Sequence, residues 1–486
     1  MTSNIEARRG FRALSSLLAL VAGAVIPILT TTAAFAQEAA AAAPTPIDTG
    51  DTAWVITASA LVLMMTLPGL ALFYGGLVRS KNVLNIFMQC FLTAGVVGVL
   101  WVLIGYSLAF GTGSGATAAF IGDLSKLGLA SVSPDATVAN FASPPRQIPE
   151  LIFAMFQAMF AIITPALILG AVAERMKFSA YVAFVSAWLL LVYCPIAHMV
   201  WSAEGWIFKA SAIDFAGGLV VHMSSGFSAL ALALFLGKRR GFGKESMAPH
   251  SLPLCLIGAG LLWAGWFGFN AGSALSASGL AALAFTNTGT AASMAVVTWA
   301  VIEWLHRGKP TALGAATAAV AGLVAITPAC GNVSPLGSIM VGGGVSIVCY
   351  AAVTFLKPLF GYDDSLDAFG VHGLGGAWGA LASGIFATTL GAGIESNADQ
   401  IIVQLKGIGF VAVFAPAMSL AILAVMKLFF GSLRVGDEAE YEGLDLAEHS
   451  ESAYTMSGGG SMLAPAPAAA SSESMAAGVL APSTVK

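Results

Sequence analysis

Asp214-Phe-Ala-Gly-Gly-Leu-Val-Val-His222 and Asp367-Ala-Phe-Gly-Val-His372 are two versions of one phrase. In each, an acidic residue and glycines precede a histidine, and a glycine follows four residues on, Gly226 or Gly376. Both histidines lie in apolar sequence long enough to cross a bilayer, where a polar side chain is costly and marks a pathway. Two further matches recur at the same spacing of spans. Thr164-Pro165-Ala166 in the third apolar stretch answers Thr327-Pro328-Ala329 in the eighth, and Phe73-Tyr74-Gly75 in the first answers Trp266-Phe267-Gly268 in the sixth. Because the offset of five spans is odd, the second half is inverted relative to the first, an architecture whose equivalent positions meet near the midplane. His222 and His372 are therefore expected to face each other and to share one proton between facing nitrogens.

The rest of the composition agrees. Of the 486 residues, 57% are apolar and 9% charged, with 55 glycines and a mean hydropathy of +0.85. That is far below the ~25% charged residues of a soluble domain, so a soluble enzyme and a disordered chain are excluded. With 21 Lys+Arg against 25 Asp+Glu, a basic nucleic-acid binder is excluded as well. The five cysteines are scattered through or beside apolar runs with no paired spacing, and read as small buried residues. No nucleophile–base motif, metal cluster or phosphate loop is present, so neither an enzyme nor a cofactor is expected.

Arg8, Arg9 and Arg12, the apolar Ala13–Thr30 and Ala34-Phe35-Ala36 read as a signal peptide over 1–36, cleaved before Gln37, with an uncleaved first span as the alternative. Crossing ~30 Å of hydrocarbon takes about 20 helical residues. Stretches of that length fall near Trp54–Val78, Ile86–Phe110, Glu150–Ala173, Ser179–Met199, Gly217–Gly237 and Leu252–Ala271. Five more fall near Leu283–Leu305, Thr311–Ala329, Gly337–Phe355, Phe369–Thr389 and Ile401–Phe430. The expectation is an all-α polytopic membrane protein of eleven helices within 37–434, spans 1–5 and 6–10 being inverted repeats and the eleventh long enough to tilt. Thirteen Lys and Arg then lie at the inner ends, among them Arg79, Arg175, Arg239 and Arg434, against four outside, Lys126, Arg146, Lys209 and Lys406. By the positive-inside rule the mature N-terminus is outside and the C-terminus in the cytosol, as in an inner (plasma) membrane protein.

Aromatic residues offer a second constellation. Phe156 and Phe160 are four apart in span three, Trp201 follows span four, and Phe269 and Ser273 are four apart at the outer end of span six. An aromatic face beside a hydroxyl can hold a small cation at about 0.5–2 kcal/mol. Taken alone, these same residues are better read as membrane-interface anchors and packing.

Over nearly its whole mature length, from Pro68 through Tyr454, the sequence resembles the ammonium transporter (Amt) family. The resemblance is carried by Gly170-Ala-Val-Ala-Glu-Arg-Met-Lys-Phe178, Pro195-Ile-Ala-His-Met-Val-Trp201, Asp214-Phe-Ala-Gly-Gly218, Gly265-Trp-Phe-Gly-Phe-Asn-Ala-Gly-Ser273, Thr327-Pro-Ala-Cys-Gly331 and Phe369-Gly-Val-His-Gly373. It implies an outer ammonium recruitment site at Trp201, Phe160 and Ser273 with Asp214 beside it, a gate at Phe160 and Phe269, and a pore pair at His222 and His372. Phe156, Trp266 and Thr327 are additional site candidates. It further implies a homotrimer with one pore per subunit. In the cytosolic tail, 435–486, Gly443-Leu-Asp445 corresponds to a family element beneath which PII-type signal proteins dock, and the Ala/Ser/Pro-rich end after about 455 reads as disordered. The implied function is transport of ammonium or ammonia, with an ammonium sensor acting through a cytosolic partner as the alternative.

Overall fold

The computed structural model describes residues 46–113, 115–141, 144–387 and 397–454. The expected signal peptide and the expected disordered end after about 455 lie outside the described residues. Among the described residues, nine helices are long and apolar enough to cross a membrane. They are α1 (Thr49–Leu77), α2 (Ser80–Phe110), α3 (Glu150–Val172), α4 (Phe178–Lys209), α5 (Gly218–Leu236), α6 (Leu252–Gly272), α7 (Gly279–Arg307), α9 (Pro335–Phe360) and α11 (Asn397–Phe430).

At the places of the expected eighth and tenth spans stand two lesser helices. The first, α8 (Ala312–Ile326), has 15 residues and stops before Thr327-Pro328, where proline cannot extend the backbone ladder. The second, α10 (369–386), is diluted by glycines and His372. Length and apolarity alone therefore give nine crossing helices where the sequence pattern gives eleven. Short side chains start several of these helices. Ser251, Thr311 and Ser334 accept bonds from Leu254, Gly314 and Gly337 N–H groups at the heads of α6, α8 and α9.

Burial is deepest in α3, α4 and α5 and shallowest in α11. At the centre, α5 crosses α10 at glycines. A Cβ on Gly226 would lie 2.1 Å from the Gly373 nitrogen, and one on Gly376 would lie 3.0 Å from the His222 Cβ. Only Gly lets these backbones approach so closely.

The two ends of the bundle are tied differently. At one end, Asp51 near the start of α1 accepts from Asn140 (2.6 Å), Arg146 (2.6 and 2.7 Å) and the Ala277 N–H (2.8 Å). This holds a small hairpin, β1 (Thr137–Ala139) and β2 (Gln147–Pro149), over the helices. The sequence reading, all helical, missed these strands.

At the other end of α1, Arg79 and Arg239 both bond Glu174, and Arg239 also grips Asp363 at 2.9 Å. Burial pushes the Glu174 carboxyl up, but Arg239 and Arg79 hold it below its ordinary range. The tail docks at this same end through two short helices, α12 (Asp437–Glu442) and α13 (Leu444–His449). Arg434 pairs with Glu440 at 2.6 Å, and Lys81 donates to the Tyr441 carbonyl.

Candidate functional site

Two aspartates start the two histidine-bearing helices. Asp214 accepts from the N–H groups of Gly217 (3.1 Å), Gly218, Leu219 (3.0 Å) and Val220 (3.1 Å), so its side chain caps α5. On the other half, the residue that does this is Asp364, which accepts from Ala368 (3.1 Å) and Phe369 (2.8 Å). The pairing of Asp214 with Asp367 is thus corrected. Asp214 and Asp364 each precede their histidine by eight residues, and the counterpart of Asp367 is Gly217. Both of those residues have positive φ, 59° and 117°, so each half leaves the right-handed region at the same place. Asp367 turns its side chain to Lys357 at 2.6 Å. Burial pushes the Asp214 and Asp364 carboxyls up to about 6 against the N–H bonds.

Beyond each cap the chain enters a π-helical turn, Gly218–Met223 and Phe369–Leu374, and each turn contains one of the histidines. A π-turn adds a residue to the helical circuit and re-aims its side chains, which is why such turns gather at functional sites. The result is contact. His222 Nδ1 and His372 Nδ1 are 3.3 Å apart, with the rings stacked at 5.4 Å.

The other histidine nitrogen fixes the direction of the shared proton. Thr327 Oγ1 donates to the Leu323 carbonyl at 2.8 Å and accepts from Trp266 Nε1 at 2.8 Å. Its proton being spent, it can only accept from His222 Nε2 at 3.4 Å. His222 then carries its proton on Nε2, and His372 donates from Nδ1 to His222 Nδ1. Trp266 and Thr327, expected as additional candidates, are the pair that orients His222.

The remaining predicted aromatics extend outward from this pair in a file of rings. His222 stacks on Trp266 at 5.4 Å and faces Phe269 at 6.2 Å; Phe269 lies 4.1 Å from Phe160, and Phe160 meets Trp201 edge-on at 5.8 Å. Phe156 packs against Phe160 at 5.0 Å but faces Gly272 rather than the cavity beyond. That cavity, about 540 Å³, is lined by Phe160, Trp201, Asp214 and Ser273 among others. Past the Phe160–Phe269 pair, the space beside His222 and His372 shrinks to about 10 Å³. A second cavity, of about 240 Å³, reaches His372 and Asp367 on the far side. The four residues expected at the recruitment site therefore share one cavity, and the two expected at the gate separate that cavity from the constriction.

The family model described as Ammonium Transporter Family matches residues 53–454. The chain belongs to that family. It is 47% identical to the ammonium transporter of Bacillus subtilis (strain 168), over 83% of this chain and 98% of that one. Ammonium transporter Amt1 of Archaeoglobus fulgidus is 42% identical, over 84% and 99% of the two chains. The crystal structure of Saccharomyces cerevisiae Mep2 superposes with a TM-score of 0.71 at 35% identity, covering 78% of this chain and 86% of that one. A sensor Amt protein superposes at 0.75 with 28% identity, covering 82% and 98%. This family member is a multi-pass membrane protein and a transporter, not an enzyme.

In this ammonium transporter family chain the three tail residues expected to bind a partner are already engaged. The Leu444 N–H donates to Asn82 Oδ1 (2.9 Å), and Asp445 accepts from the Asn85 N–H (2.8 Å). Gly443, at φ 112°, sits where a Cβ would lie 2.6 Å from Lys81. Leu444 is 0% and Asp445 3% exposed. They anchor the tail to the start of α2 and are buried there.

Asp364 is the functional residue that sequence reasoning misplaced, although its signal, the eight-residue interval to the histidine, is in the sequence. The bond from His222 Nε2 to Thr327 Oγ1 had no such signal, since it joins residues 105 apart.

Proposed function

We propose that this chain carries ammonium across the membrane as ammonia, and the single observation behind the reading is the 10 Å³ constriction at the twin histidines. That space holds about one water-sized molecule. Moving a bare ammonium ion into such a place would cost tens of kcal/mol by a Born estimate, whereas neutral ammonia has the size and polarity of water. Ammonium is held in the outer cavity by Phe160, Trp201 and Ser273 beside Asp214, loses a proton at the Phe160–Phe269 gate, and passes His222 and His372 as ammonia. Potassium has no proton to lose and is rejected. The histidine pair can also relay the released proton inward, which makes transport electrogenic.

The chain acts as an eleven-span protein with α8 and α10 completing the count, mature N-terminus outside and tail in the cytosol, assembled as a homotrimer. A PII-type signal protein at the inner face meets the docked tail through exposed side chains such as Tyr441 and Leu446, not through Gly443, Leu444 or Asp445.

Current recording on a solid-supported membrane tests the reading. An ammonium jump is expected to give a current that a potassium jump does not. Equal currents for both ions would overturn it, and so would none for either, which is also the outcome a pure sensor predicts.

A further inference from the structure

The cavity of about 540 Å³ beside Phe160 and Trp201 is far larger than ammonium, an ion about the size of water, requires. Pockets of ~300–1,000 Å³ with mostly apolar walls hold organic ligands, and these walls are of that kind. Phe110 and Phe153 line the cavity and lock edge-on to each other at 5.1 Å. Phe141 and Phe208 line it too, yet remain 62% and 46% exposed. Phenyl rings left so open to water gain by being covered.

Other groups in the same cavity suit a cation. Ser273 gives its proton to the Phe269 carbonyl at 2.9 Å, so its oxygen is left to accept. Trp201 spends its Nε1 proton on the Asp214 carbonyl at 2.8 Å, and its ring meets Phe160 edge-on at 5.8 Å. Aromatic rings beside a hydroxyl acceptor attract a cation that carries N–H groups. We propose that this cavity is also a binding site for primary alkylammonium ions, which block the transporter. The charged head sits by Phe160, Trp201 and Ser273, and the alkyl tail lies against Phe141, Phe153 and Phe208. The inference rests on the transport reading above and deepens it.

That such ions block, and are not carried, follows from size. The alkylammonium head keeps three N–H donors and its charge, so it competes for the place ammonium takes. Past the Phe160–Phe269 pair the space is about 10 Å³, room for one water-sized molecule. A chain of several methylenes cannot follow. Its tail stays in the wide cavity and displaces loosely held water from the phenyl walls, which adds affinity. At the usual worth of a buried methylene, each one added should tighten binding about threefold. An alcohol of the same length brings the tail without the charge and should not compete.

The test uses the full-length protein on a solid-supported membrane, with ammonium currents recorded in the presence of ethyl-, butyl- or hexylammonium, and of hexanol as the neutral control. Inhibition is expected to be competitive with ammonium and to strengthen about threefold per methylene. Phe208→Ala and Phe141→Ala remove exposed rings outside the recruitment site and gate. Each should raise half-inhibitory hexylammonium about fivefold, the worth of part of one phenyl's burial, and leave ammonium half-saturation and maximal current as in wild type. Because the membrane is the same for every variant, a tail acting through the lipid would inhibit them all alike. No inhibition by hexylammonium, inhibition that ammonium does not relieve, equal inhibition by hexanol, or wild-type sensitivity in both variants would each overturn the proposal while leaving the transport reading intact. A wild-type protein without ammonium current would instead overturn the transport reading, and this inference with it.

Discussion

Four backbone N–H groups converge on the Asp214 carboxylate and two on that of Asp364. Each N–H left unpaired in a buried site costs roughly 1–3 kcal/mol. Asp214→Ala is therefore expected to lower the melting temperature of the protein in detergent and to reduce ammonium flux. Asp214→Asn keeps one acceptor oxygen and should lose less of both. Asp364→Ala, with fewer bonds to forfeit, should fall between wild type and Asp214→Ala in melting temperature. If Asp214→Ala melts and transports like wild type, the capping role is wrong. The residue types at the site were legible because a histidine or aspartate in so apolar a sequence stands out. Their partners were less so. The mistaken choice of Asp367 over Asp364 arose from reading chemistry without register, since three acidic residues crowd that turn and only the one eight residues before the histidine caps α10.

Helix α5 owes its place to Gly226 as much as to its apolar faces. A methyl there would sit 2.1 Å from the Gly373 nitrogen and 2.4 Å from its Cα, both backbone atoms that cannot step aside. Gly226→Ala should push α5 and α10 apart, break the 3.3 Å contact between the histidines, and abolish ammonium-selective current. Selective current of wild-type size from Gly226→Ala would refute that account. The tail helix α13 depends on pH instead. His449 Nε2 bonds Asn85 Oδ1 at 2.9 Å, and its ring meets Phe178 edge-on. Burial holds this imidazole below its ordinary 6.5, against Asp445 and Glu451, which act to raise it. A group whose docked value is depressed resists protonation when docked, so docking keeps full strength above pH 6.5 and weakens as pH falls towards the docked value. Burial raises the Asp445 and Glu448 carboxyls, and this favours docking only at more acidic pH. Protection of the 437–450 amides, taken relative to their intrinsic exchange rate at each pH, should therefore be lower at pH 6 than at pH 7.5, and His449→Gln should remove the difference. Equal protection in the wild type at both values would contradict it.

At the scale of the whole molecule, the helical membrane-spanning pattern was the most legible feature, and matched segments recur along it at one offset. The same offset placed helices at α8 and α10, which fall short on length or apolarity and would escape a count based on those measures alone. What the sequence could not carry was long-range geometry: the π-turns that re-aim the histidines, the Thr327 bond that sets their proton, and the tail folded back against α2. Each depends on residues brought together from distant parts of the chain, where no local pattern records the contact. The central claim is that two halves of one fold bring His222 and His372 together as a single proton-sharing pair in a space too small for a solvated ion. One measurement bears on it most directly: steady-state current on an ammonium jump from the His222→Ala/His372→Ala double variant, compared with wild type and with a potassium jump. The account predicts that the variant remains folded and loses the ammonium-selective current, because the pair is gone and the constriction is widened. An ammonium-selective current of wild-type size would contradict it and reduce the histidines to lining.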